Sequence, residues 1–260
     1  MISIIQHGLK SSELLARRLA AMRSRLGSDM FASLGLDAGS RTFEAGQHIF
    51  ESGRVRNEVQ VMVSGVVGEV RILSDGRRQI LALRLPGYTL IPNSAEALVA
   101  LTLVRVADGL PLMACLANSS EDYQPLRRAW IAASRTDQAI LRDQVVRLGR
   151  MSAFERVAHM VLEAHERLAQ VGLATETTFH MPLTQEVISD VIGLSVVHLN
   201  RTLQTLRRSA LVASRQGYFT LVDRPRLLDI AGYVSRFPVA WRPGEAHNRR
   251  ILPSTFAMAG

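Results

Sequence analysis

The chain has 260 residues, of which 47% are hydrophobic, and its formal net charge is +8. It contains no charge-free apolar stretch of the roughly 18 residues that a membrane-spanning helix needs, so we expect no membrane contact. The single cysteine, Cys115, rules out an intrachain disulfide and a four-thiolate iron–sulfur cluster, and it fits a reducing cytoplasm. We therefore expect a cytoplasmic protein, and no pattern in the sequence calls for a cofactor.

Residues 1–37 predict a helical extension that ends in a loop. The opening stretch, MISIIQHGLKSSELLARRLA, is amphipathic, and it lacks the long apolar core and small-residue cleavage pattern of a signal peptide. We interpret it as a surface helix.

Residues 38–118 predict a small all-β domain. Short runs of β-favouring residues alternate with glycines, and from Gly53 on the glycines recur every eleven or twelve residues, which is typical of a sandwich or barrel. Asp75-Gly76 lies between two apolar runs and predicts a hairpin. We expect the last strands of the domain at LTLVRVA and PLMACL.

Residues 119–149 predict one long helix with an apolar stripe that Asp137 and Gln144 interrupt. The stripe consists of Leu126, Trp130, Ala133, Ile140, Leu141, Val145 and Leu148. It can pack either on its own domain or on a twin helix. We favour the twin helix, and hence a homodimer, because no further domain is available to cover the stripe.

Residues 150–235 predict a second domain that contains two helices joined by a tight turn. Ser152 and Glu155 form a capping box at the start of its first helix. Thr184 caps a short helix, Gly193 supplies the turn, and Ser195 caps a second helix that extends to Arg208. Two β runs around Arg215-Gln216-Gly217 then predict a wing, and we expect residues 236–260 to be a flexible tail.

The second helix and the wing carry a local excess of positive charge. Between Val196 and Arg226 there are six arginines and one acidic residue, Asp223. Such a patch is the electrostatic footprint of a nucleic-acid site. The predicted DNA-binding residues are Thr184, Gln185, Ser195, Val196, Val197, His198, Asn200, Arg201, Gln204, Arg207, Arg208 and Arg215.

These residues have different expected roles because the second helix of such a motif enters the major groove by its N-terminal half. Arg201 can donate two hydrogen bonds to guanine, and Asn200 or Gln204 can recognise adenine. Val196 or Val197 suits a thymine methyl group. The expected phosphate contacts, which add affinity but no sequence reading, are those of Arg207, Arg208 and Arg215.

The order of β domain, long helix and winged helix-turn-helix resembles the Crp/Fnr family of bacterial regulators over about residues 40–222. Gly193-Leu194-Ser195 matches the turn that leads the recognition helix in that family, and Arg201 matches its guanine-reading arginine. Val197 stands where the family often has a glutamate that reads cytosine. The resemblance implies an α+β fold with an N-terminal cyclic-nucleotide-binding-like β-roll, a long dimerisation helix and a C-terminal winged helix-turn-helix.

The β domain, including FEAGQHIFESG, resembles the family's cyclic-nucleotide-binding roll, but the ligand residues differ. The stretch after Gly87 lacks the Gly-Glu-Leu and Arg-Ser elements that hold cyclic AMP in that family. Glu96 has no arginine near it in sequence, and Arg105 lies in a strand-like run. We therefore expect no dependence on cyclic AMP, and we expect His48 and Cys115 to be structural residues and not heme ligands.

The sequence thus predicts a regulator of transcription that binds double-stranded DNA as a homodimer on a palindrome, with RNA polymerase as a further partner. The residues do not identify a small-molecule effector or establish that one exists. The alternative is an effector-binding signalling protein whose helix-turn-helix contacts proteins, and salt dependence of DNA binding separates the two. Phosphate-binding loops and the hydrolase and metalloprotease motifs are absent from the sequence, so we expect no enzyme.

Overall fold

The computed structural model describes residues 10–20, 34–36, 39–53, 58–92 and 95–237. A helix precedes an eight-stranded β domain, and a long helix then leads to a smaller unit with a three-stranded sheet. In chain order the described elements are α1 (Ser11–Ala20), β1 (Arg41–Phe43), β2 (His48–Phe50), β3 (Gln60–Ser64), β4 (Val67–Ile72), β5 (Arg78–Arg84), β6 (Thr89–Leu90), β7 (Ala97–Ala100), β8 (Val104–Asp108), α2 (Leu110–Ala117), a 3₁₀ turn (Glu121–Tyr123), α3 (Gln124–Arg150), α4 (Ala153–Gln170), β9 (Thr178–His180), α5 (Gln185–Ile192), α6 (Val196–Arg208), β10 (Val212–Arg215), β11 (Tyr218–Leu221) and α7 (Arg224–Ala231).

The β domain consists of two four-stranded antiparallel sheets, with strand orders β1-β8-β3-β6 and β2-β7-β4-β5. Side chains from both sheets form one apolar cluster, as expected where alternate residues of a strand point inward. The buried members of this cluster are Ile49, Phe50, Met62, Val67, Leu90, Leu98, Ala100, Val104 and Val106. The hairpin predicted at Asp75-Gly76 joins β4 to β5, and Gly76 takes φ 82° in its turn. The predicted β-roll is thereby confirmed.

The segment PLMACL, for which we predicted a strand, lies in helix α2. A short apolar run does not distinguish a strand from a helix by periodicity. Local start signals favour the helix: Gly109 is its N-cap, and Pro111 lies in its first turn, where the missing N–H costs nothing. Asp108 Oδ1 also accepts a hydrogen bond from the backbone N–H of Leu110 at 3.0 Å.

Helix α1 is not the surface helix that we predicted. Leu14, Leu15 and Leu19 are at most 1% exposed. Leu15 and Leu19 belong to a cluster that includes Val61 of β3 and Leu126 of α3. The amphipathic pattern is real, but its apolar face is covered by the β domain and the long helix of the same chain. Residues 1–9 lie outside the described part of the structure.

The apolar stripe of the long helix α3 divides between two surfaces. Leu126, Ala129 and Ala133 are at most 2% exposed and pack in the cluster beneath α1. Leu141 and Val145, farther along the helix, are 47% and 67% exposed. The helix also continues through Gly149, where we predicted its end, to Arg150.

The unit that follows α3 begins at the predicted capping box. Ser152 Oγ accepts a hydrogen bond from the backbone N–H of Glu155 at 3.4 Å, and Glu155 Oε2 accepts one from that of Ser152 at 2.7 Å. Hydrogen bonding of the Glu155 carboxyl to the backbone N–H and then to the side chain of Ser152 lowers its pKa. Helix α4 packs against α5, α6, α7 and the sheet of order β10-β11-β9. Of the predicted tail, Arg236 and Phe237 are described, and Phe237 is buried in the same cluster as Leu15.

Candidate nucleic-acid interface

Local hydrogen bonds set the start of both helices of the helix-turn-helix, as the sequence predicts. Thr184 Oγ1 accepts from the backbone N–H of Val187 at 3.3 Å, and Ser195 Oγ accepts from that of His198 at 3.2 Å. Gly193 ends α5 with φ 65°, a left-handed conformation that costs glycine little. The chain can therefore turn sharply between α5 and α6.

The inner face of α6 fixes which of its residues point outward. Leu199, Leu203 and Leu206 are at most 4% exposed and belong to the core that α4 and α5 share. Thr202 is also buried, and its Oγ1 donates to the carbonyl of His198 at 2.9 Å. Since these residues hold one side of the helix in the core, the intervening polar residues lie on the opposite side.

The outer face contains most of the predicted DNA-binding residues. The exposed ones on α6 are Val197, His198, Arg201, Gln204, Arg207 and Arg208. Val196 and Asn200 are half-buried at the edge of this face. Thr184, Gln185 and Ser195 are exposed at the start of the two helices. The structure thus exposes most of the predicted residues of the helix-turn-helix, with those of α6 on the side away from the core.

Two side chains donate hydrogen bonds to the backbone next to the turn between α5 and α6, and the sequence did not predict either contact. Arg156 of α4 donates from Nη1 to the carbonyl of Ile192 at 3.2 Å. Gln144 of α3 donates from Nε2 to the carbonyl of Val191 at 2.6 Å. These bonds satisfy carbonyls at the C-terminal end of α5, and the bond from Gln144 connects the turn to the long helix. Gln144 was visible in the sequence only as an interruption of the apolar stripe.

The wing is a tight hairpin in which Arg215 pairs with Tyr218. Gln216 and Gly217 between them have φ 49° and 78°, the two positive values of a type I′ turn. A Cβ atom at position 217 would lie 2.8 Å from Cα of Pro182, so only glycine fits. Arg215 is exposed next to this turn.

Arg207 links the recognition helix to the wing. Its Nε and Nη2 donate to Ser214 Oγ at 3.1 and 2.7 Å. The sequence predicted only a phosphate contact for this residue. The guanidinium is still exposed, so the bond to Ser214 orients a positive charge between α6 and β10.

The charge of this surface is available to a ligand. Arg201, Arg208 and Arg215 make no ion pair with any residue that the structure describes. Asp223 accepts a hydrogen bond from the backbone N–H of Arg226 at 3.1 Å and so caps α7. A helix and a wing that expose unpaired arginines have the geometry and charge to bind a polyanion.

A cavity of about 200 Å³ lies between the β-roll and α3, and ion pairs within the chain line its wall. Arg84 donates to Glu69 at 2.7 Å, and Arg18 donates to Asp137 at 2.5 Å.

Glu96, for which we expected no arginine partner, accepts a hydrogen bond from Arg71. That expectation was wrong because β4 and β7 are neighbours in the sheet although they are distant in sequence.

The described residues contain no group of three or more His, Cys, Asp or Glu side chains placed to hold a metal ion. None of the helices in the described ranges combines the length and apolarity needed to span a bilayer.

Comparison with known proteins connects this geometry to a family. Residues 155–230 match the model of the Crp-like helix-turn-helix domain. The chain is 32% identical over 197 residues to the nitrogen fixation regulation protein FixK of Bradyrhizobium diazoefficiens, covering 73% of this chain and 80% of that protein. It is 26% identical over 224 residues to the transcriptional activator protein FnrL of Cereibacter sphaeroides, covering 83% and 89%.

The fold agrees with these relatives. The solved structure of FixK2 from Bradyrhizobium japonicum superposes with a TM-score of 0.64 at 26% identity, and the match covers 76% of this chain and 98% of FixK2. Because the match covers 76% of the chain, it extends beyond residues 155–230 into the β-roll. The chain belongs to the Crp/Fnr family of DNA-binding transcription regulators.

Proposed function

We propose that this regulator acts as a homodimer that reads a palindromic operator through α6 and the wing. The observation that carries the proposal is the outer face of α6, where exposed Arg201 lies between Val197 and Gln204 and no acidic side chain pairs with it among the described residues. A helix inserted by its N-terminal half would present these three residues to base edges in the major groove.

The proposed contacts divide into base reading and phosphate binding. Arg201 suits guanine O6 and N7, and Asn200 or Gln204 suits adenine. The methyl groups of Val197, which is 61% exposed, suit thymine. Phosphate contacts are expected from three further arginines, Arg207, Arg208 and Arg215. Thr184 and Gln185 would bind a phosphate at the N-terminus of α5, where free N–H groups favour anions.

An exposed apolar seam on α3 supports the dimer. Ile131, Gln138 and Val145 recur at seven-residue spacing, and Ile131 and Val145 are 50% and 67% exposed. Leu141 lies between them at 47% exposure. An a/d-type seam of this kind packs against the same seam of a second copy. Two recognition helices would then meet successive major grooves about 34 Å apart.

The remaining assignments belong to the same proposal. Residues 38–118 form the sensor, 119–149 the dimerisation helix and 150–235 the DNA-binding domain, flanked by extensions 1–37 and 236–260. RNA polymerase is the expected partner on DNA, the site of action is cytoplasmic, and we expect no catalysis. A small-molecule effector would act by shifting the long helices, and we expect it not to be cyclic AMP.

Selection from a randomised duplex pool tests the DNA-reading role. The purified protein should enrich a palindromic motif, and Arg201→Ala should lose or relax one position in each half-site. Arg208→Ala is the matched control, since it removes an exposed arginine from the C-terminal end of the same helix. It should weaken binding while the motif stays unchanged. If no motif is enriched, or if Arg201→Ala selects the wild-type motif, the proposal is wrong.

Sedimentation analysis tests the dimer. Val145→Asp places a charge in the seam and should convert the dimer to a monomer. Gln124→Asp introduces the same charge at an exposed position near the N-terminus of α3, and it should leave the dimer intact. A Val145→Asp protein that remains dimeric would mean that another surface holds the copies together.

A further inference from the structure

Helix α1 contacts three parts of the chain at once. Its leucines pack against β3 and α3. Its backbone lies so close to the turn after β5 that a Cβ atom on Gly87 would come within 2.8 Å of the Leu14 carbonyl oxygen. Arg17 donates to the carbonyl of Val171, just beyond the end of α4, at 3.4 Å. The N-terminal helix therefore touches the β-roll, the long helix and the DNA-binding unit.

Arg18 is the charged centre of this contact. The residue is 4% exposed, and its Nη2 lies 2.5 Å from Asp137 Oδ2 on α3. Its Cζ also lies 3.7 Å from the centroid of the Tyr88 ring, in cation–π geometry. A buried guanidinium held by a carboxylate and an aromatic face has little freedom to move.

Tyr88 continues the contact into the DNA-binding unit. Its hydroxyl oxygen accepts a hydrogen bond from Nε of Arg167 on α4 at 2.9 Å. Arg167 in turn donates to Glu163 at 2.9 Å, and the other carboxylate oxygen of Glu163 accepts from Arg147 of α3 at 3.0 Å. Burial disfavours the charged form of Arg167, but its pKa is nevertheless raised, first by Tyr88 and then by Glu163.

Two further hydrogen bonds extend these contacts to the turn of the helix-turn-helix. Arg147 donates to Gln144 Oε1, and Gln144 Nε2 donates to the carbonyl of Val191. Val191 lies two residues before Gly193. An uninterrupted series of contacts, which we call the arginine relay, thus joins α1 to this turn. Its members are Asp137, Arg18, Tyr88, Arg167, Glu163, Arg147 and Gln144.

Two physical properties enable the arginine relay to fix the positions of the elements that it joins. Hydrogen bonds and ion pairs are directional, so a buried network of them favours one arrangement of its elements, although Nε of Arg147 has no partner within it. Loss of one member leaves a buried charge or donor without its partner, which is more costly than the bond itself is favourable. The relay spans elements whose relative placement sets the direction of α6.

We propose that α1 is an intramolecular strut that positions the helix-turn-helix for a palindrome, with Arg18 as the positioning residue through which it acts. The inference rests on the proposed function, since orientation matters only when two recognition helices must engage one duplex. When the strut is loosened, each DNA-binding unit samples further orientations. The fraction of dimers ready for both half-sites then falls, and the apparent Kd rises in proportion.

The test compares Arg18→Met and Tyr88→Phe with wild type. Tyr88→Phe keeps the ring under Arg18 and removes the hydroxyl that Arg167 binds. Lys10→Met is the control, because it removes one positive charge from an exposed residue next to α1. Both relay variants should raise the Kd for the full palindrome about tenfold and leave the Kd for an isolated half-site within about twofold. Lys10→Met should do neither.

Hydrogen exchange supplies a readout that does not depend on DNA. Without DNA, amides 191–194 should exchange about ten times faster in both relay variants than in wild type or Lys10→Met. If Arg18→Met does not fold, Tyr88→Phe decides the question. The proposal is wrong if the folded variants keep wild-type exchange at the turn, or if full and half-site affinities fall equally. If the wild type selects no palindrome, the proposed function fails and exchange alone still decides whether the strut exists.

Discussion

The fold places two groups of arginines in opposite environments, one on the outer face of the DNA-binding unit and one behind it. The outer group is exposed and without acidic partners among the described residues, and it consists of Arg201, Arg208 and Arg215. The inner group is at most 5% exposed and paired with carboxylates, and it consists of Arg18, Arg147 and Arg167.

The environment of each arginine therefore decides its role. An exposed guanidinium keeps its hydrogen-bond donors for a ligand, and its neighbours do little to hold it. A buried guanidinium already donates to fixed partners, so its removal disturbs the fold. We therefore expect the outer group to control affinity for DNA and the inner group to control stability and orientation.

The largest effect is expected for Glu163→Gln. This change leaves Arg147 and Arg167 buried without the carboxylate that both of them contact, and it should lower the free energy of unfolding by about 3–5 kcal/mol. Urea denaturation followed by circular dichroism measures this. Glu13→Gln removes a carboxylate whose ion pair with Arg17 is exposed, and it should cost less than about 1 kcal/mol. Equal losses in the two variants would erase the distinction between the two groups.

Arg201→Ala should come next and should act on binding alone. Loss of a bidentate hydrogen-bonded pair with guanine is expected to cost about 1–3 kcal/mol at each half-site, so the Kd for the selected palindrome should rise at least tenfold. Fluorescence anisotropy at fixed salt measures this change. The free energy of unfolding should stay within about 0.5 kcal/mol of wild type, because the side chain is exposed. A stability loss as large as that of Glu163→Gln would contradict the assignment.

Arg215→Ala should have a smaller effect, which salt dependence reveals best. Removing one arginine from a phosphate makes the slope of log K against log salt shallower by about 0.9, so a dimer should show a change of about 1.8. Titrations at several salt concentrations measure the slope. Arg77→Ala, on the exposed β4–β5 hairpin, should leave it unchanged. An unchanged slope for Arg215→Ala would place the wing away from the DNA backbone.

The smallest effect should be that of pH through His159, which contacts Arg147 of the inner group. Burial, followed by the nearby positive charge of Arg147, lowers the pKa of His159 below its ordinary 6.5. Below about pH 6.5 the unfolded chain therefore binds a proton at His159 more readily than the folded chain does. The contribution of neutral His159 to the free energy of unfolding is complete above about pH 6.5 and decreases as the pH falls below it. Urea denaturation between pH 7.5 and 5.5 should show this loss, and His159→Gln should reduce it. A variant with the wild-type pH dependence would assign the effect to another group.

The outer face was predictable because its determinants are local. Thr184, Gly193 and Ser195 mark the helix boundaries within a dozen residues, and the spacing of the leucines fixes which side of α6 is buried. The resemblance to the family added the guanine-reading role expected of Arg201. How the predicted residues contact DNA remains a proposal that the selection experiment tests.

The inner group was not predictable because its partners are distant in sequence. Arg18 and Asp137 are separated by 119 residues, and Tyr88 and Arg167 by 79. In the sequence, Asp137 and Gln144 only interrupt an apolar stripe, and α1 resembles a surface helix. The packing of α1 against α3 and the β-roll turns these same residues into a connected network. The strand predicted at PLMACL was wrong for a local reason, since a short apolar run does not distinguish a strand from a helix and the flanking Gly109 and Pro111 start a helix.

A double-mutant cycle between protein and DNA tests most directly whether Arg201 reads a guanine. Wild type and Arg201→Ala are each titrated with the selected palindrome and with the same duplex carrying 7-deazaguanine at the candidate position, which removes the N7 acceptor. We predict that the modified base weakens wild type and leaves the already weakened variant unchanged, so the two losses are not additive. Fully additive losses would show that Arg201 does not contact that base.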